Sequence, residues 1–220
     1  MCGRFSLVEL KLIHKTFQVA NRQLELLPHY NVAPSQSILA VRNDEENHRE
    51  LTYLRWGFIP RWQKKEEIGT RWINVRAETA SQKPLFRYAF RRHRCLIVAS
   101  SFFEWRNKQP YLIHCDDFPV CGMAGLWEHW EEKGNGSCID SAVIMTQEAT
   151  PPLDFLHNRM PLIIHPEHFG HWLDRENQDI EALEKEITSQ PSMAWSFYPV
   201  NPRVNSARND EPLCIAPLSE

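Results

Sequence analysis

The runs VCGMAGLWEHW (residues 120–130) and CIDSAVIMT (residues 138–146), separated by EKGNGS (residues 132–137), decide how this chain folds. Two apolar segments rich in β-branched, aromatic and small residues flank a Gly-Asn-Gly reversal, the pattern of a β-hairpin. Shorter segments of the same character surround it. ILAVR (38–42) and LTYLRWGF (51–58) read as strands on either side of an acidic turn, and RCLIVAS (94–100), YLIHC (111–115) and AWSFYPV (194–200) read as further strands. NVAPSQS (31–37) reads as a loop. Helical spacing is confined to SLVELKLIHKTF (6–17), where Ser6 and Glu9 form a capping-box pattern, to a segment after Pro166, and to roughly 178–187. Many short strands with few helices predict an α+β domain of mostly antiparallel sheet. No repeat or linker divides the chain, so one domain over residues 1–220 is expected.

Composition narrows the class of function. With 42% hydrophobic residues, eight Trp and eleven Phe in 220 residues, the chain can bury a core without staples. No stretch approaches the roughly 18 to 20 apolar residues of a membrane span. The N-terminus lacks a signal-peptide pattern, so a soluble, cytoplasmic protein is expected. Six scattered cysteines without C-x-x-C predict reduced thiols. His165, His168 and His171 recur every third residue, but no acid or cysteine stands at a recognisable ligand spacing, so a surface helix is expected, with no metal and no cofactor. Net charge is −3, yet between Arg71 and Arg94 seven basic residues face one acid, a local balance of +6. That asymmetry fits a basic face for a polyanion.

Five stretches carry residue types suited to chemistry. MCGRF places Cys2 directly behind Met1. In WINVRAET, Asn74, Arg76 and Glu78 alternate with apolar residues as on a half-buried strand. SSFFEWR sets Glu104 among aromatics, surroundings that raise a carboxyl pKa and suit a proton shuttle. LHNRMP contributes His157, the side chain best matched to proton transfer near neutrality. VNPRVNSARND is a polar, Arg-containing loop fit for phosphate contacts. YNVAPSQ and RWGFIPRW add proline and tryptophan able to stack on or wedge between bases.

In this order MCGRF, YNVAPSQ, LRWGFIPRW, INVRAET, FFEWR, MAGLW, HNRMP and VNSARND resemble the SOS response-associated peptidase (SRAP) family, bacterial members of which shield abasic DNA. The resemblance runs from Cys2 to about Asp210 and implies a single-domain α+β fold with a barrel-like core and a few peripheral helices. It also implies that the mature protein begins at Cys2, whose α-amine and thiol close a thiazolidine on the open-chain sugar aldehyde. That chemistry requires an N-terminal position, because any other cysteine has its nitrogen in an amide. Both nucleophiles are largely protonated at pH 7, so a helper is needed. The resemblance assigns Glu104 to the amine, His157 to the sugar oxygen and Asn74 to holding the reacting centre, although physical chemistry alone permits Glu104 and His157 to exchange roles.

The implied partner is single-stranded DNA containing abasic sites. Arg4, Arg76 and Arg159 are the expected phosphate ligands, with Arg71 and Arg208 as further candidates. Pro34 and Trp62 are candidates for a wedge against the neighbouring base. Ser100 and Ser101 stand where the family pattern leads one to expect aspartate or glycine. The peptidase of the family name is read as self-removal of Met1; lyase action is a further expectation, and a monomer is the default. Two rivals remain: an N-terminal-nucleophile amidotransferase, which also opens Met-Cys-Gly, and a reader of modified bases that binds without a covalent bond.

Overall fold

The computed structural model describes residues 2–19, 24–134 and 136–218. Its strands in chain order are β1 (Phe5–Leu7), β2 (His29–Val32), β3 (Ser37–Asn43), β4 (Arg49–Trp56), β5 (Asn74–Arg76), β6 (Arg94–Ala99) and β7 (Ser101–Arg106). They continue with β8 (Gln109–Cys115), β9 (Cys121–Glu131), β10 (Cys138–Glu148), β11 (Arg159–Pro161), β12 (Ile163–Ile164) and β13 (Trp195–Pro199). The helices are α1 (Ile13–Phe17), α2 (Ala77–Ala80), α3 (Arg87–Arg92), α4 (Phe169–Leu173) and α5 (Ile180–Thr188), with short 3-10 turns between elements.

The expected hairpin is the spine. β9 and β10 pair antiparallel from Cys138↔Glu131 to Ile144↔Gly125, and Gly134 and Gly136 take φ of +94° and +71° in the turn. Both strands are eleven residues long, enough to pair on two edges, and the sheet closes on itself through β10, β4, β3, β6 and β9. Closure uses parallel ladders that the sequence reading did not foresee: Ser141 and Ala142 of β10 lie beside Arg55 and Trp56 of β4, and Ile144–Thr146 run beside β5. A second, antiparallel sheet has the order β13-β8-β7-β1-β2. Strand alternation divides the barrel residues between two cores. Leu39, Val41, Leu96, Val98, Ala124 and Val143 pack with the helices, whereas Ile38, Ala40, Ile97, Met123, Ala142 and Ile144 pack with Cys2, Phe5, Phe102 and Ile113 of the second sheet.

Three local expectations change. Residues 6–17 are not one helix: Ser6 lies in β1, with its hydroxyl 2.6 Å from Ser101 Oγ, and α1 starts only at Ile13. The backbone N–H groups of Val8 and Glu9, which lead into the first helical turn, donate to Ser100 Oγ at 3.0 and 3.1 Å, and neither that turn nor α1 carries a side-chain cap. Residues 31–32 of the expected loop belong to β2. Glu78 is not on a strand, because β5 ends at Arg76 and α2 begins at Ala77.

Arg94 departs from the basic face that its neighbourhood suggested. It is 3% exposed, and its guanidinium donates to the carbonyls of Phe90, Arg91, Trp172, Asp174 and Asn177. It thereby satisfies orphan carbonyls at the ends of α3 and α4 together. His171 and His168 bracket the buried Glu186 of α5, an acid brought to them by folding, and His165 lies 3.2 Å from its neighbour Glu167. All six cysteines are free. No helix among the described residues is long and apolar enough to cross a membrane.

Candidate active site

Cys2 stands three residues ahead of the start of β1 and is fully buried. Its position follows from the ladder beside it: Phe5 pairs with Phe102, and the Phe103 N–H donates to the Arg4 carbonyl at 3.0 Å. That pairing lays the Cys2–Arg4 segment along the part of β7 that carries Glu104, itself 5% exposed. From the other side Asn74 Nδ2 donates to the Cys2 carbonyl at 2.7 Å. Asn74 reaches there because β5 is pinned to β10 by Ile144↔Asn74 and Met145↔Val75. Burial first, and the charge of Glu104 second, push the Cys2 thiol far above its ordinary range, and its S–H points at the Arg4 carbonyl 3.7 Å away. Asn74 Oδ1 is buried without a hydrogen-bond partner among the described residues. Met1 lies outside them.

His157 arrives through β10 as well. Thr146 pairs with Arg76 of β5 and with Pro161 of β11, so the turn before β11 sits at the same end of β10 as Asn74. The Arg159 backbone N–H donates to His157 Nδ1 at 2.9 Å. The same Nδ1 lies 3.2 Å from the Arg159 carbonyl, so the Arg159 backbone orients the ring. Leu156 packs in the same core as Cys2. The four residues singled out for chemistry therefore come from four separate segments.

The arginines divide into two groups. Arg4 Nη1 donates to Asn31 Oδ1 (2.9 Å) and the Val204 carbonyl (2.7 Å), and Nη2 to the Asn205 carbonyl (3.2 Å). Arg159 forms a two-point pair with Glu78 at 2.6 and 2.9 Å and reaches the Thr146 carbonyl. Several of their donors are taken up within the protein, where Arg4 holds the chain beside Cys2 and Arg159 holds the His157 turn, while Arg159 Nε is buried without a hydrogen-bond partner among the described residues. Arg71, Arg76 and Arg208 are exposed, and their side chains make no hydrogen bond or ion pair among the described residues. Trp62 is 68% exposed at a loop tip, and Pro34 is half-buried in the turn between β2 and β3.

Two positioning residues were not singled out from the sequence. Asn31 is completely buried, and its Nδ2 is within 2.7–3.2 Å of the carbonyls of Val204, Ser206 and Asn209. Asp210 accepts from the Tyr30 and Asn31 N–H groups and contacts His29. YNVAPSQ and VNSARND are thus two halves of one clamp. A buried amide opposite a polar loop is the signal, and it is visible only when both segments are considered together. A cavity of about 710 Å³ is lined by Glu78, Glu148, Glu184, Met160 and Trp195, among others. Its carboxylates make it a poor phosphate site.

Barrel, second sheet and buried second-residue cysteine together define a single-domain α+β protein built around its own N-terminus. A crystal structure from Bacteroides thetaiotaomicron shares that fold, with a TM-score of 0.86 at 24% identity over 99% of this chain and all of the other. The chain belongs to the SOS response associated peptidase (SRAP) family, whose model matches residues 1–207. It is 38% identical to the abasic site processing protein YoqW of Bacillus subtilis, over 98% of this chain and 99% of that one. It is 27% identical to the abasic site processing protein YedK of Escherichia coli, over 99% and 100%.

Proposed function

We propose that this chain, once Met1 is removed, captures abasic sites in single-stranded DNA through Cys2. The observation that carries the reading is Cys2 held by Asn74 on its carbonyl and flanked by the Glu104 carboxylate. Glu104 takes a proton from the α-amine, which attacks the open-chain aldehyde carbon; the resulting carbinolamine loses water to give an imine. The Cys2 S–H adds across that C=N bond, sulfur to carbon and proton to nitrogen, and one water is released overall. His157 gives a proton to the sugar ring oxygen as the C1–O bond breaks and regains one from the C1 hydroxyl as the aldehyde forms, so that the ring opens with no net change of proton count. Asn74 Oδ1, buried with no partner among the described residues, accepts from the new N–H on this reading. A thiol kept protonated by burial suits the order amine first, sulfur second. Arg71, Arg76 and Arg208 supply phosphate contacts, and Trp62 or Pro34 wedges the adjoining base. Removal of Met1 by the chain itself would account for the peptidase of the family name.

The test is denaturing electrophoresis of Met1-processed protein mixed with single-stranded DNA bearing one abasic site, with uracil-containing DNA as control. A band that survives heat and detergent, requires the lesion, and disappears in Cys2→Ala and in protein retaining Met1 is expected. Binding without any such band from processed protein would overturn the covalent reading in favour of a non-covalent reader. Glutaminase activity in its place would identify an N-terminal-nucleophile amidotransferase.

A further inference from the structure

We infer that Arg106, stacked on Phe155 at the rim of the candidate site, is a preformed phosphate clamp for the DNA strand. This rests on the DNA-binding reading above. Arg106 ends β7 two residues beyond Glu104, on the same face of the strand by alternation and about 7 Å further along it. Its guanidinium carbon lies 3.3 Å from the centre of the Phe155 ring. Phe155 closes the 3-10 turn two residues before His157 and is 54% exposed, an unusual position for a large apolar ring. The ring is backed by Phe197, with centres 6.3 Å apart and planes at 22°, and Phe197 meets Tyr111 edge-on. Tyr111 is the register partner of Glu104. The segments bearing Glu104 and His157 thus meet at an aromatic stack whose outer layer is a guanidinium.

Like Arg71, Arg76 and Arg208, Arg106 has no ion-paired acid among the described residues; what sets it apart from those three is the aromatic ring beneath it. Arg42 engages Glu50 and Asp140, Arg61 engages Glu128, Arg159 engages Glu78 and Arg203 engages Glu211. Arg106 makes no hydrogen bond or ion pair among the described residues. The ring restricts the side chain and leaves its edge donors unspent, so a phosphate binds a fork that has already lost much of its rotamer freedom. Arg106 is a binding residue on this reading, and its loss should act on affinity and leave the chemistry intact.

The experiment titrates a fluorescent, undamaged single-stranded oligonucleotide against wild type, Arg106→Gln, Arg106→Lys and Phe155→Leu at several salt concentrations. Crosslinking to an abasic strand is followed at limiting and at saturating DNA. Arg106→Gln should bind about five- to tenfold more weakly and lower the salt slope by about 0.7, the value for one phosphate contact on a single strand. Its crosslinking rate at saturating DNA should match wild type. Lys should restore the slope and only part of the affinity, and Phe155→Leu should weaken binding in the same direction. Wild-type affinity and slope in Arg106→Gln, while wild type crosslinks normally, would overturn the clamp alone. Failure of wild type to bind the strand at all would overturn the clamp together with the function on which it rests.

Discussion

Replacing Arg94 by Met tests whether a cation in the most basic stretch of the chain belongs to the fold or to the DNA. Methionine keeps the length and apolar stem of the side chain and removes every donor. Five carbonyls, from Phe90, Arg91, Trp172, Asp174 and Asn177, would then face a thioether. Each unsatisfied buried acceptor costs about 1–3 kcal/mol. Water entering from the Asp174–Asn177 side relieves part of this, so about 4 kcal/mol is expected. For a domain of this length each kcal/mol lowers Tm by about 2–4 °C, which gives a fall of about 8–16 °C by calorimetry. The salt slope of single-strand binding, measured well below the lowered Tm, should not move. A fall in Tm of less than about 3 °C, the shift expected for roughly 1 kcal/mol, would refute the double helix cap. A reduced salt slope would return Arg94 to the DNA face.

Two other perturbations probe the barrel. A methyl group at Gly125 would lie 2.8 Å from Cys95 Sγ and 3.1 Å from two carbons of Ile97; Gly125→Ala should therefore cost about 1–3 kcal/mol in denaturant melts, and adding Cys95→Ala should recover part of that loss, whereas strict additivity would contradict the contact. Burial pushes the Cys95 thiol far upward, as it does that of Cys2. The unfolded chain releases these protons near pH 8.5 while the folded chain keeps them, so stability is fully present below that pH and falls above it, by about 1.4 kcal/mol per pH unit for each thiol. Urea melts between pH 8 and 11 should give a shallower fall for Cys95→Ala than for wild type, and identical slopes would exclude a neutral, buried Cys95.

Much of this architecture was legible along the chain because it depends on local periodicity. The β9–β10 hairpin, the β3–β4 pair, β6, β8, β13, α4 and α5 each follow from apolar spacing and turn residues within a dozen positions. The chemical types at Cys2, Asn74, Glu104 and His157 were equally visible, since an N-terminal cysteine and a carboxyl among aromatics are properties of short stretches. Tertiary structure alone decided what each polar group was committed to. Ser100 takes the N–H groups ahead of the first helical turn, Arg4 and Arg159 spend several donors on the protein, Arg94 is interred under two helix ends, and Asn31 and Asp210 join two segments more than 170 residues apart in sequence. The physical reason is that apolar burial is non-directional and leaves a periodic trace in the sequence, whereas a hydrogen bond or ion pair requires one partner at one distance. That partner is brought in by strand pairing between segments whose separation along the chain carries no pattern. Arg106 belongs to the same lesson, because a free cation is recognised only once the acids around it have been assigned elsewhere.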